Sequence, residues 1–139
     1  GHPLRHTVEV RHPSFKSGEF IALVRRFGIP VVYADHPTYP AIADPAGDFV
    51  YARLQKGEDG NPTCYPEKEI AAWVSAARTW AEGGMPKRIT DDTVSPKSGG
   101  AKRPRDVFVY FIHGSKVHAP AGAQAFMAAL NRKARQTSA

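Results

Sequence analysis

Apolar residues along this 139-residue chain recur with the period-two alternation of strands in some segments and at helical spacing in others. In residues 7–11, Val8 and Val10 point to one side while Glu9 and Arg11 point to the other. Residues 49–54 alternate in the same way. The predicted strands lie at residues 7–11, 30–34, 49–54 and 107–112. The last of these is apolar throughout, which predicts a strand buried on both faces.

Apolar residues spaced three and four apart predict helices at residues 18–27, 66–82 and 119–132. Gly28 is placed to end the first helix, and Pro66 to begin the second. Three prolines make the connection before residue 49 unsuitable for a crossover helix. The resulting order, β-α-β-β-α-β-α, is typical of a parallel α/β sheet.

Charged residues inside two of the predicted strands are the strongest candidate for a site. Glu9 and Arg11 share one face of their strand, and Tyr51 and Arg53 share one face of theirs. We expect these four side chains to lie close together on the inner face of the sheet, with Tyr110 nearby. A buried charge must be paired or must bind something. Two arginines against one glutamate leave a positive surplus that suits a carboxylate or phosphate. Glu9 is the candidate acid or base. The alternative is a structural ion network that has no ligand.

Other motifs add little chemistry. His12, His36 and His113 follow predicted strand ends, yet the spacing of a histidine metal site is missing, so no metal is expected. His12, and Lys116 beside Gly114 and Ser115, are further candidate contacts for the ligand. The single cysteine, Cys64, has no adjacent histidine and is not expected to be catalytic. No nucleotide-binding motif is present, and no cofactor is expected.

The net charge of +6 is unevenly distributed. Residues 87–105 hold six basic and two acidic residues, and residues 132–135 add three basic ones. Such a distribution indicates a charged loop and tail, and it does not favour nucleic-acid binding. A second hypothesis is nevertheless a non-catalytic interaction protein whose basic loop contacts nucleic acid or another partner. Without a membrane-spanning run or a signal peptide, and with one cysteine, the sequence favours a cytoplasmic protein.

The chain resembles the YecE-like family, also called the domain of unknown function 72. The resemblance is carried by the Glu9-x-Arg11 strand that continues into His12-Pro13, and by the Tyr51-x-Arg53 strand. Matching segments run through residues 3–15, 48–55, 65–66, 80–81, 105–111, 114–117 and 119–120. The chain departs from the family at Gln55, where a histidine is frequent, and at His113, where asparagine, aspartate or serine is common.

This resemblance implies a TIM-like barrel of roughly 250 residues, with this chain as its C-terminal four strands. The expected fold is therefore a parallel β/α half-barrel, with residues 1–139 as one domain fragment, residues 85–104 as a flexible basic loop and residues 133–139 as a tail. We expect the half-barrel to form a homo-oligomer or to associate with a missing N-terminal half. The resemblance implies no particular reaction, so whether the protein is an enzyme stays undecided.

Overall fold

The computed structural model describes residues 1–44, 46–89, 103–112 and 115–136. A 3₁₀-helix at Pro13–Phe15 is followed by α1 (Gly18–Phe27), β1 (Tyr33–Asp35), β2 (Phe49–Leu54), α2 (Glu67–Ala81), β3 (Asp106–Phe111) and α3 (Ser115–Gln136). The three strands form one parallel sheet in the order β1-β2-β3. The described residues therefore have a mixed α/β fold, as the sequence pattern predicted, whereas closure into a half-barrel stays a prediction.

The first predicted strand, residues 7–11, is wrong as a full strand. Its pairing is a single parallel bridge between Val8 and Val31. The Val8 amide donates to the Pro30 carbonyl at 3.1 Å, and the Val32 amide donates to the Val8 carbonyl at 2.8 Å. Because Pro30 has no N–H to donate, and the 3₁₀-helix begins at Pro13, the ladder cannot extend far in either direction. The second predicted strand is displaced to Tyr33–Asp35.

Helices α1 and α2 match the sequence pattern closely. The Ser17 hydroxyl accepts a hydrogen bond from the Phe20 amide and so caps the start of α1. Gly28 ends the helix in the left-handed conformation, with φ of 61°, which a residue with a Cβ adopts only under strain. Helix α3 starts before Pro120, which lies inside it, and runs to Gln136. The predicted tail at residues 133–139 is therefore helical over residues 133–136.

Helices α2 and α3 pack on one face of the sheet. Their hydrophobic core includes Trp73 and Trp80, which are almost fully buried and lie 6.0 and 5.7 Å from the Tyr33 ring between centroids. The residues that the sheet contributes to this core alternate along the strands, as period-two geometry requires. They are Tyr33, Val50, Ala52, Leu54, Val107, Val109 and Phe111. A smaller core under α1 contains Val10, Ile21, Val24, Val31 and Ile42.

One further expectation needs correction. β3 is not buried on both faces, because Phe108 and Tyr110 are 38% and 42% exposed. At the start of the segment 85–104, Pro86 is buried and Ile89 belongs to the core around α2, while the flexible loop expected for this segment stays a prediction. Residues 90–102 of that segment lie outside the described residues. Among the described helices, none is both long and apolar enough to cross a membrane.

Candidate functional site

The sheet face opposite α2 and α3 carries the charged and aromatic side chains. Since Val50, Ala52 and Leu54 point to the helices, alternation directs the intervening residues of β2 to the other side. We call this the open face, defined by Phe49, Tyr51 and Arg53 of β2 and by Phe108 and Tyr110 of β3. Arg53 and Tyr110 are partners in the parallel register, so they lie side by side.

Glu9 lies between two arginines at this face. One carboxylate oxygen accepts a hydrogen bond from Arg11 Nε at 2.9 Å, and the other accepts one from Arg53 Nη1. Burial alone would raise the pKa of Glu9, but the hydrogen bonds and positive charges of Arg53 and Arg11 outweigh burial and lower it. Glu9 is therefore held as a carboxylate, which suits an anchor for the arginines better than a proton donor.

The two arginines differ in exposure. The side chain of Arg53 is 23% exposed, whereas that of Arg11 is 62% exposed. Each guanidinium carries a full positive charge and several N–H donors, of which Glu9 takes one from each arginine. The Glu9–Arg11–Arg53 cluster thus has a formal charge of +1 and presents unused donors from Arg11 towards solvent.

Tyr51 and Tyr110 stack next to this cluster. Their ring centroids are 4.6 Å apart and their planes differ by 17°. Burial raises the pKa of Tyr51, and Tyr110 raises it further, while Arg53 lowers it. Tyr51 therefore stays protonated at neutral pH and can both donate and accept a hydrogen bond.

Tyr39 is a neighbour of the cluster that the sequence pattern did not identify. The Arg11 guanidinium lies 5.0 Å from the centroid of the Tyr39 ring, and the His36 ring stacks on that ring at 3.6 Å. The His36 ring is fixed because its Nδ1 accepts from the amides of Thr38 and Tyr39. Their position in the sequence could have marked His36 and Tyr39 as candidates, because both follow the carboxyl end of β1, where binding sites of parallel sheets are commonly found.

The remaining sequence candidates are placed differently. His12 Nδ1 lies 2.8 Å from the Ser14 hydroxyl and accepts from the Ser14 amide, so it caps the 3₁₀-helix. The Lys116 side chain and all of His113 lie outside the described part of the chain. Burial raises the pKa of the Cys64 thiol, which favours its unreactive protonated form. Within the described ranges, no three potential metal ligands lie close enough to hold an ion.

A second polar cluster lies at the carboxyl ends of β1 and β2. Buried Asp35 pairs with Lys56 Nζ at 3.1 Å, and the Tyr65 hydroxyl donates to its other oxygen at 3.4 Å. The same hydroxyl accepts from the Lys56 amide at 2.8 Å. Burial, and then the charge of Asp35, raise the pKa of Tyr65. The members satisfy one another, which indicates that this cluster fixes the loop after β2.

The amino end of the open face is closed by Arg5. Its guanidinium lies 4.5 Å from the centroid of the Phe49 ring and 5.6 Å from that of Phe108. It also donates to Asp106 at 2.7 Å, and a more distant Asp48 oxygen lies 3.9 Å away. Arg5 is thus matched by acidic residues, so the positive surplus at this face belongs to the Glu9 cluster.

These features define a parallel α/β domain with helices on one sheet face and a cationic, tyrosine-lined cluster on the other. The model of the family described as protein of unknown function DUF72 matches residues 1–139, so the chain belongs to that family. The resemblance seen in the sequence is thereby confirmed. The searches of curated proteins and of solved structures gave no match. The family description names no reaction.

Proposed function

We propose that this protein binds a small anionic ligand, bearing a phosphate or a carboxylate, at the open face. Arg11 and Arg53 supply the cationic contacts, and Glu9 fixes the orientation of both guanidinium groups. Tyr51 and Tyr110 line the site, and His12 and Lys116, the further candidates from the sequence, remain part of the proposal. The proposal leaves open whether a reaction follows binding.

The observation that carries this proposal is the sharing of one carboxylate by two arginines. Glu9 neutralises one positive charge and leaves the other, and the more exposed partner, Arg11, retains N–H groups that face solvent. Guanidinium groups bind phosphate and carboxylate through paired N–H donors, so this surplus is suited to an anion. A purely structural network has no need of a second, largely exposed arginine.

The surrounding architecture in this proposal is a TIM-like half-barrel whose interior is the open face. Two observations support it: the strands are parallel, and α2 and α3 cover the face that points away from the charges. The proposal also places the protein in the cytoplasm. It further includes self-association or association with another half-barrel, since Phe108 and Tyr110 leave apolar surface exposed.

Calorimetric titration with inorganic phosphate and with acetate at low ionic strength tests the proposal. Arg11→Gln removes the surplus charge from an exposed position, so the fold should persist while affinity falls at least ~10-fold, equivalent to about 1.4 kcal/mol. Arg26→Gln on α1 is the matched control, because Arg26 is exposed and lies over Phe27. Equal affinity of the Arg11→Gln and unmodified proteins, or no binding to either, would support the structural network instead.

A further inference from the structure

Aromatic rings on the open face remain exposed next to the cationic cluster. Tyr110 stacks on Tyr51 with nearly parallel planes, yet 42% of Tyr110 is accessible. Phe108, two residues earlier on the same strand, is 38% accessible. At the amino end, by contrast, Phe49 is 5% exposed beneath Arg5 and Phe108. Accessible ring surface is therefore concentrated on β3.

The parallel register places this ring surface on the same sheet face as Arg53. Arg53 pairs with Tyr110 in the register of two strands that lie about 4.8 Å apart, and Tyr51, which stacks on Tyr110, lies two residues before Arg53 on the same face. Arg53 also binds Glu9, which binds Arg11. A ligand whose anionic group contacts the arginines, and whose remaining part extends across β2 on this face, would consequently reach the stacked Tyr51–Tyr110 pair.

We infer that the ligand is a small molecule carrying both a planar ring and one phosphate or carboxylate group. The anion contacts Arg11 and Arg53, and the ring packs against Tyr110. This inference rests on the proposed function and narrows it. The positive charge of the arginines favours an anionic group on the ligand. The stacked tyrosines favour an aromatic ring, because packing of aromatic rings on one another is stabilising beyond the burial of apolar area.

Three probes separate the ring from the anion: phenyl phosphate, cyclohexyl phosphate and inorganic phosphate. Phenyl phosphate should bind the unmodified protein about 5–10-fold more tightly than cyclohexyl phosphate, since aromatic pairing contributes up to about 1.5 kcal/mol. Tyr110→Leu should remove this preference, measured as the ratio of the affinities for phenyl phosphate and cyclohexyl phosphate. Tyr110→Phe should retain the preference, and Phe27→Leu, at an exposed position on α1, is the control.

The outcomes distinguish the two proposals. If inorganic phosphate binds but the two ring phosphates bind equally well, the aromatic ligand class is wrong and anion binding stands. If phenyl phosphate keeps its advantage in Tyr110→Leu while Tyr110→Phe behaves like the unmodified protein, the ring lies elsewhere and this inference is again wrong. If none of the three probes binds, the proposed function itself fails.

Discussion

Replacing Arg53 by methionine tests whether the Glu9 cluster stabilises the fold. Methionine preserves much of the volume of the side chain but removes the charge and the hydrogen bond to Glu9. Because the Glu9 side chain is 15% exposed, water replaces the lost donor poorly. The substitution should therefore destabilise the protein.

The expected loss in the free energy of unfolding depends on the hydrogen bonds that Glu9 still accepts after the substitution. A hydrogen bond to a charged group contributes about 1.5–3 kcal/mol, and leaving a buried charge wholly unpaired costs about 3–5 kcal/mol. Arg11 Nε still donates to Glu9 at 2.9 Å after the change, so the charge keeps one partner. We expect a loss of about 2–3 kcal/mol in the free energy of unfolding, below the range for a wholly unpaired charge.

Urea denaturation of four proteins forms the corresponding double-mutant cycle: the unmodified protein, Arg53→Met, Glu9→Gln and the double variant. The two changes should be coupled by at least ~1 kcal/mol, because Arg53→Met no longer breaks an ion pair once Glu9 has been replaced by the neutral glutamine. Arg26→Met, the exposed control, should change stability by less than about 0.5 kcal/mol. Additive effects of Arg53→Met and Glu9→Gln would refute the ion pair at this face.

Three further predictions concern the acid response and the core. Folding lowers the pKa of Glu9, so the stabilisation from its ionised form is present above pH 4.5, its ordinary pKa, and is lost as the pH falls through the pKa of the folded state. The melting temperature of the unmodified protein should therefore fall more steeply on acidification than that of Glu9→Gln. Parallel profiles of melting temperature against pH would contradict this. Leu54→Ala, at a position with 0% exposure, should cost about 2–5 kcal/mol in urea denaturation, whereas Leu23→Ala, at 52% exposure, should cost less than about 1 kcal/mol; equal losses would place Leu54 outside the core. Ile89→Ala should cost about 2–4 kcal/mol by the same assay, because Ile89 belongs to the core around α2, and a negligible loss would contradict that packing.

Local patterns were sufficient for the elements with strong periodicity and clear end signals. β2 and α1 have the predicted bounds. Period-two alternation defines β2, and Ser17 and Gly28 mark the two ends of α1. The same alternation correctly brought Glu9 and Arg53 together, because each carries a charge that is costly to bury alone.

Other features depend on tertiary contacts that periodicity does not encode. An apolar run such as β3 gives no indication of which face stays open, so the exposure of Tyr110 could not be predicted. Residues 7–11 alternate like a strand, but ladder formation also requires donors from the neighbour, and Pro30 has none. The contact of Arg11 with Tyr39 depends on how the proline-rich connection folds back.

Arginine side-chain NMR during a titration with inorganic phosphate is a direct test of anion binding at the open face. The Nε–Hε resonances of Arg11 and Arg53, assigned with the single variants, should shift together and saturate with one binding constant. Arg25, which is already held by both oxygens of Asp44, is the internal control and should not move. Saturable shifts confined to Arg11 and Arg53 would establish anion binding at the open face, whereas shifts absent from both, or equally large at Arg25, would contradict it.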